Sequence, residues 1–428
     1  MPAESRLLTA AIGLFAVLML ALSPFALSAL GYGYSEAGGN ALTKFHPSTY
    51  YLCALAAFAA LATGDPLAAT LRALREAPSV VVLGAAVTLG VVHAMLFSGH
   101  PITPLIETFV PAMLILLLLR NIPEGRGRAL ALLLHSFMAL NAGLGIFEAL
   151  SGWRLTPLVL NGEELTYEWR SSALLGHPLA NAMLTGSYLL ILAFGGGRDL
   201  PAPLRIAAFG LNLAAMAMFG GRAATVLALL VMGGLVARRA FAVLNGAPVN
   251  ASTLLLTLAG LPFVGAGLFA MFSTNFLERF LRRFSDDAGS AQARNDMFEI
   301  FSHVQMHDLL IGPDPQLVAT WQGLLGLDQG IESFWLAFVL FYGLVVSVLI
   351  FGGLFLFCRE IALRSRSGAG WVLAFFIAVA SVSTSLSGKS NILTVVTLFV
   401  LVLMRPGAVF RSAGAFTATG RAPGTRRA

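Results

Sequence analysis

Arginine and histidine side chains stand where long apolar stretches of this chain begin or end. Arg170 and His177 flank the start of one stretch in WRSSALLGHPLAN, and Arg222 separates two more in FGGRAATVLALL. A guanidinium group binds phosphate oxygens through two parallel hydrogen bonds, so these residue types suit the binding of an anionic group. An arginine at the outer end of an apolar helix pair is costly, which indicates a function; the alternative for Arg222 is an ordinary loop cation.

The composition defines the class of protein that must position these residues. Of the 428 residues, 57% are hydrophobic and only 11% are charged, whereas soluble domains carry about 25% charged residues. We therefore expect an all-α polytopic membrane protein with about 12 transmembrane helices in a single integral membrane domain over residues 1–404. The predicted spans lie at roughly 9–30, 48–64, 79–97, 102–119, 130–150, 178–195, 204–219, 223–237, 252–272, 333–357, 370–386 and 390–404.

The distribution of basic residues predicts the orientation of these spans. Most of the 27 Lys and Arg residues fall on one side if the N-terminus is cytoplasmic, as the positive-inside rule requires. Residues 405–428 then form a basic, disordered cytoplasmic tail, and the net charge of +6 reflects contact with lipid headgroups and not with nucleic acid. Nine basic residues fall on the outer side, against the rule: Lys44, Arg154, Arg170, Arg222, Arg279, Arg282, Arg283, Arg294 and Lys389.

Two outer loops are long enough to fold, at about 151–177 and about 273–332, the second between spans 9 and 10. In the second loop, FLERFLRRF predicts a short amphipathic helix with Arg279, Arg282 and Arg283 on its polar face, at the level of the lipid headgroups. A second amphipathic stretch begins just after Arg294.

Metal binding is not predicted. His303 and His307 have a spacing that zinc could use, but HVQMH lacks the glutamate of the HExxH motif and a third ligand. The two cysteines, Cys53 and Cys358, lie in apolar stretches and predict neither a disulfide nor a thiolate cluster.

Four motifs carry a resemblance to a known family. WRSSALLGHPLAN, FGGRAATVLALL, GSAQARNDMFEIF with LLIGPDP, and IESFWLAFVLFYGLV follow one another in this order, each at the predicted outer surface. In this order and setting the chain resembles the O-antigen ligase and polymerase superfamily, and within it the exopolysaccharide polymerase branch of the VpsF type. The resemblance covers roughly residues 165 to 350, and the first five spans match in hydropathy alone.

The resemblance implies a metal-independent, inverting glycosyltransferase without a cofactor, at the periplasmic face of the bacterial inner membrane. Its donor would be an undecaprenyl-diphosphate-linked oligosaccharide, its second substrate an acceptor glycan, and its further partners other polysaccharide-assembly proteins. The leaving diphosphate gains negative charge, so preorganised cations would stabilise it. Arg222 and Arg294 match the arginine positions of the superfamily and are implied to contact the diphosphate. The alternative for Arg294 is a salt bridge with Asp287 or Asp296.

Glu332 is the favoured general base or acceptor-orienting residue, where the ligase branch carries a histidine. Desolvation of a carboxyl group at a membrane boundary raises its pKa towards the useful range, whereas nearby arginines oppose that shift. The alternative is an acidic residue at a helix N-terminus, where it interacts with the helix dipole.

The remaining candidates are substrate-binding residues. Arg170 would face the glycan or the phosphate. His177 would cap a helix, hydrogen-bond a sugar or transfer a proton, and Asn181 would bond either the glycan or neighbouring backbone. Lys389 would be a further phosphate contact, as would Arg279, Arg282 and Arg283 of the surface helix.

Two other functions stay open. An O-antigen ligase would use the same donor and transfer the glycan to a different acceptor. A 12-span secondary transporter, or a flippase of lipid-linked sugars, belongs to another class and should place its polar groups near the membrane midplane.

Overall fold

The computed structural model describes residues 2–34, 40–119, 124–157, 159–160, 163–164, 170–248, 290–327 and 330–406, with the backbone alone at 2–5, 124–126, 159–160, 163–164 and 290–295. Within these ranges the chain is helical, apart from two short strands, β1 (Val159–Leu160) and β2 (Glu163–Glu164), that pair antiparallel. The predicted ninth span, the arginines at 279, 282 and 283, and residues 407–428 of the tail lie outside the described residues.

The described α-helices follow one another along the chain as α1 (Pro2–Ala21), α2 (Pro24–Ala29), α3 (Pro47–Leu61), α4 (Pro66–Glu76), α5 (Pro78–His93), α6 (Thr103–Leu119), α7 (Glu124–Ser151), α8 (Pro178–Ala193), α9 (Ala202–Phe219), α10 (Arg222–Leu244), α11 (Ser290–Ser302), α12 (Met306–Ile311), α13 (Pro315–Leu324), α14 (Phe334–Arg364), α15 (Ala369–Ala380) and α16 (Ile392–Leu403). A 3₁₀ turn (Ala41–Lys44) precedes α3, and a π turn (Ala94–Ser98) follows α5. Many of these helices begin with proline, whose missing N–H costs nothing in a first turn.

The helices are those of a membrane-embedded protein. Of the helices in the described part of the chain, five are long and apolar enough to cross a bilayer, namely Pro78–Ser98, Gly127–Ser151, Ala202–Phe219, Arg222–Leu244 and Phe334–Arg364. A sixth crossing results if α3 and α4, which meet at 112°, are taken together. Shorter apolar helices accompany them. The predicted helical membrane protein is confirmed in this form.

The bundle has two ends, which we name by their residues. Helices α6, α8 and α10 begin at the upper end, with Thr103, Pro178 and Arg222. The lower end contains polar residues that are each held by hydrogen bonds or ion pairs, namely Asp199, Glu360, Arg364, Arg366 and Arg405. Arg405 forms an ion pair with Asp199, and the backbone N–H of Arg366 donates to Met404 O at 2.7 Å.

Helix α8 forms the centre of the bundle and is buried along almost its whole length. It packs against α9, α10, α15 and α16. Small residues permit close approach here, because a Cβ at Gly186 would lie 2.4 Å from Cζ of Phe375 on α15. Helices α5 and α14 pack closely on each other beside this core.

Helix α14 is interrupted at Gly343, and its first part folds back on the rest. The backbone of Gly343 is non-helical, with φ 78° and ψ 162°. The Trp335 and Phe338 rings lie 4.4 and 5.6 Å from the ring of Phe351, whereas in a straight helix residues 338 and 351 would be about 20 Å apart. The predicted span over 333–357 is therefore a helix that is broken at Gly343, because tertiary packing reverses the chain inside an unbroken apolar run.

Two further helices are too short to cross a bilayer alone. Helices α15 and α16 have 12 residues each, or about 18 Å at 1.5 Å per residue, against about 30 Å of hydrocarbon. Both start from or return to the lower end, since Gly197 N donates to Leu403 O at 3.2 Å and Gly368 packs against Phe194. The segment between them, residues 381–391, has the sequence SVSTSLSGKSN and is called the serine loop below.

Helices α11 to α13 form a cap with a small core of its own. Buried residues of the cap pack on the folded-back part of α14, through Ala337 and Leu340. The cap contributes Met297, Ile300, Val304, Val318 and Leu327. The cap therefore rests on the segment that Gly343 turns back into the bundle.

Candidate functional site

The loop before α8 brings Arg170 to the end of α9. Ser171 follows Arg170 and donates its backbone N–H to Met218 O at 3.1 Å, while its hydroxyl donates to Gly145 O at 2.6 Å. Arg170 itself is half-buried. The segment is thus fixed to both α7 and α9 directly beside the arginine.

Arg222 is the first residue of α10 and lies against the same corner. The chain turns from α9 into α10 through Gly220, which has φ 63° and ends α9, and Gly221. A Cβ at Gly221 would lie 2.5 Å from Cβ of Ala182 on α8, so only glycine lets the turn approach α8 this closely. Arg222, half-buried, is therefore set beside the first turns of α8.

His177 and Asn181 hold the start of α8. His177 is the exposed N-cap residue, and its Nδ1 accepts the backbone N–H of Leu179 at 3.3 Å. Asn181 is fully buried. Its amide donates to the carbonyls of Ser172 and His177, and its Oδ1 accepts from Nδ2 of Asn141 at 2.8 Å. Of the alternatives for Asn181, this geometry favours a bond to neighbouring protein over one to a glycan.

Glu332 is half-buried and precedes the folded-back part of α14. Trp335 donates its indole N–H to the hydroxyl of Ser381 at 2.7 Å, and a Cβ at Gly330 would lie 3.6 Å from Cγ2 of Thr384. The segment around Glu332 therefore lies against the serine loop.

Arg222, Glu332 and the serine loop are connected through α15. Helix α15 packs against both α8 and α10, and Arg222 is the first residue of α10. The serine loop follows α15 directly and contacts the segment around Glu332.

Lys389 lies at the other end of the serine loop, in a second polar cluster. Its Nζ donates to Tyr34 O at 2.7 Å and lies 5.1 Å from the centre of the Tyr34 ring. Nearby, the buried carboxylate of Glu107 accepts the hydroxyl of Thr49 at 2.7 Å and the backbone N–H of His46 at 3.2 Å. The sequence alone does not indicate this cluster, because its members are far apart in the chain.

Arg294 lies in α11, but its side chain is outside what the structure describes, as are Arg279, Arg282 and Arg283 entirely. Their predicted roles stay predictions. The two cap histidines have separate partners, because His303 stacks on Trp321 at 3.6 Å and His307 lies 3.4 Å from Asp308. Among the described residues no group of three or more His, Cys, Asp or Glu side chains could hold a metal ion.

An apolar groove of about 420 Å³ between α1 and α7 lies away from these residues. Its lining of Arg6, Thr9, Ala10, Gly13, Ala129, Leu130 and Leu133 is suited to lipid chains, not to sugar.

The described geometry suits the binding of an anion. The loop that follows Arg170 and the turn before Arg222 are both fixed to the first turns of α8, through Ser172 with Asn181 and through Gly221 with Ala182. The N-terminus of α8 carries the positive end of the helix dipole. Both arginines are half-buried. Electrostatic attraction is stronger in such surroundings than in water.

Comparison of the chain with protein-family models, curated proteins and solved structures gave no match.

Proposed function

We propose that this protein is a membrane glycosyltransferase that joins undecaprenyl-diphosphate-linked glycan units, in a 12-span bundle of the bacterial inner membrane whose upper end faces the periplasm. The observation that carries the proposal is the placement of Arg170 and Arg222. Their backbones are fixed to the same corner through Ser171 with Met218 and through Gly221 with Ala182. Two guanidinium groups suit the diphosphate of the donor, whose four non-bridging oxygens share two negative charges, whereas a neutral sugar would call for no cation.

In the proposed reaction an acceptor hydroxyl attacks the anomeric carbon of the donor from the face opposite the diphosphate. The new C–O bond forms as the C–O bond to diphosphate breaks, the configuration inverts, and undecaprenyl diphosphate leaves with the electron pair. The proton of the acceptor hydroxyl passes to Glu332. Arg170 and Arg222 stabilise the charge that develops on the leaving group, and Arg294 and Lys389 are further candidates for that contact.

The surroundings of Glu332 support its role as the base in this scheme. Its segment contacts the serine loop, which follows α15, and α15 packs against the helix that begins with Arg222. Irregular backbone within a membrane bundle occurs where it is buried in protein or lines a cavity. The proposed site needs a cavity for two sugar substrates.

The test uses purified protein, native lipid-linked repeat units and no added metal, with the product glycans separated by size. A ladder of lengthening glycans supports polymerisation. A single transfer to a different lipid acceptor supports the ligase alternative. Absence of any new glycosidic bond in protein that is folded and supplied with native substrate overturns both.

A transporter or flippase is the second candidate, and one observation favours it. Interrupted helices that meet inside a bundle, as α14 does with α15 and α16, are typical of substrate sites in secondary transporters. Movement of a lipid-linked sugar between the leaflets of proteoliposomes, without a new glycosidic bond, would favour this class.

A further inference from the structure

We infer that Glu148 is a positioning residue of the donor site, holding the loop that carries Arg170 in the one shape that brings it beside Arg222. The inference rests on the proposed function. Glu148 lies near the end of α7 and is 3% exposed. Its position near the end of an apolar stretch suggests a carboxylate solvated by water or headgroups, which the burial contradicts.

Both carboxylate oxygens of Glu148 are engaged by backbone. Oε2 accepts the N–H groups of Ser172 and Ala173, each at 2.9 Å, and Oε1 accepts the N–H of Leu155 at 3.0 Å. One side chain therefore fixes the loop between α7 and α8 at two places, near its start at Leu155 and near its end at Ser172 and Ala173. Hydrogen bonds to a charged acceptor are about twice as strong as neutral ones, and buried N–H groups left without them are costly.

The loop held by Glu148 is strained at the point of contact. Ala173 is fully buried and has φ 41°, and it is the one residue other than glycine with positive φ in the described part of the chain. Such a conformation persists only where surrounding contacts impose it. Its N–H is held by Glu148, and its carbonyl accepts the hydroxyl of Thr156 at 3.0 Å.

Two further hydrogen bonds, both made by uncharged side chains, hold the same loop. Asn141 Oδ1 accepts the N–H of Leu174 at 3.1 Å, and Ser172 donates its hydroxyl to Thr156 O. Arg170 lies just two residues before the first N–H that Glu148 binds. Without the carboxylate of Glu148, the strained turn at Ala173 relaxes and the side chain of Arg170 is no longer held in its orientation. Arg222, on α10, keeps its place.

The experiment compares Glu148→Ala and Glu148→Gln with the wild type, all purified and placed in lipid nanodiscs. Glutamine keeps one carboxamide oxygen that can accept from Ser172 and Ala173, so it should restore most of the function. The control is Glu360→Gln at the lower end, where the carboxylate also accepts a backbone N–H, that of Ser79 at 2.9 Å. Two quantities are measured: the affinity for undecaprenyl diphosphate, and the rate of amide hydrogen exchange at residues 171–174.

We expect Glu148→Ala to weaken undecaprenyl diphosphate binding about tenfold or more and to speed amide exchange in the loop. Glu148→Gln should stay within about threefold of the wild type, and Glu360→Gln should bind as the wild type does. Unchanged exchange in Glu148→Ala overturns the inference, because the loop then does not depend on this carboxylate. Faster exchange with unchanged affinity also overturns it, since the role is then structural only.

A wild type that fails to bind undecaprenyl diphosphate overturns the proposed function and the inference with it. This result is distinguishable from failure of the inference alone, in which the wild type binds and Arg222→Ala weakens binding while Glu148→Ala does not.

Discussion

The indole N–H of Trp335 donates to the hydroxyl of Ser381 at 2.7 Å, and this bond joins the two interrupted elements of the bundle. Trp335 belongs to the folded-back part of α14, and Ser381 begins the serine loop that follows the short α15. The contact brings the segment of Glu332 to the end of α15, and α15 packs against α10, which begins with Arg222.

Replacing Arg222 with alanine should lower the rate of glycan transfer by about 100-fold or more, because the guanidinium group that would stabilise the developing charge on the diphosphate is lost. The rate of Arg222→Lys should lie between those of the wild type and Arg222→Ala, because an ammonium group keeps the charge but cannot form two parallel hydrogen bonds. Product formation from lipid-linked repeat units measures both. Arg239→Ala, on the same helix near its other end and exposed, is the control and should keep full activity. Full activity in Arg222→Ala would remove the basis of the proposed function.

Gly343→Ala should prevent the fold-back and destabilise the protein by about 3 kcal/mol or more. The new Cβ would lie 2.4 Å from the carbonyl carbon of Ile311 and 2.6 Å from the nitrogen of Gly312, and alanine resists φ 78°. Thermal unfolding in detergent measures the effect. Gly352→Ala is the matched control, because its Cβ would have nothing within 4 Å. A wild-type melting temperature for Gly343→Ala would contradict the described break.

The cap should pack less stably on the bundle at acidic pH, because protonation of the buried His100 is unfavourable. The buried ring of His100 lies 4.9 Å from the ring of Phe341 and contacts the backbone of Pro313. Burial lowers the pKa of His100 from 6.5 to about 4, partly opposed by the carbonyl of Pro313 and the carboxylate of Asp314. The contribution of neutral His100 to the free energy of unfolding is therefore fully present above pH 6.5. It is lost as the pH falls towards 4, and the loss is about 2 kcal/mol at pH 5.

The measurement for His100 is the melting temperature between pH 7.5 and pH 4.5, in the wild type and in His100→Phe. The variant cannot titrate at this position, so its melting temperature should fall less over the same range. Equal slopes in the two proteins would show that other groups control the acid sensitivity.

Asn181→Ala should cost about 2–4 kcal/mol of stability, because Asn141 and two carbonyl oxygens lose a buried partner. The folded fraction should still bind undecaprenyl diphosphate with affinity near that of the wild type if Asn181 supports the backbone alone. Asn212→Ala, another fully buried asparagine whose amide bonds only Ala208 O of its own helix, should cost less. Normal stability with lost binding in Asn181→Ala would instead assign a direct substrate contact.

Local signals predicted several elements well. Apolar runs marked α3, α5 and α8, and each of these helices begins with proline. Gly176, in the turn before α8, has φ 69°, and a Cβ there would lie 2.8 Å from Cβ of Ser23. These features depend on neighbouring residues and on steric rules that hold in any fold, so a single sequence contains them.

The reversal at Gly343 could not be predicted in this way. Hydropathy does not change across it, and α14 contains other glycines, such as Gly352 and Gly353, that stay helical. The break exists because the cap packs its backbone at Gly312 against Gly343, a contact between segments that only the folded chain brings together. The same reason hid Glu148, since its three partners lie 7, 24 and 25 residues away along the chain.

The fold-back also has a consequence for the biogenesis of the protein. The run from Phe334 to Arg364 would first enter the bilayer as one uninterrupted hydrophobic helix, because nothing within it halts insertion. Its first third is held in its final place by the packing of Ala337 and Leu340 against the cap. The reversal therefore forms together with the cap, after the apolar run has been inserted.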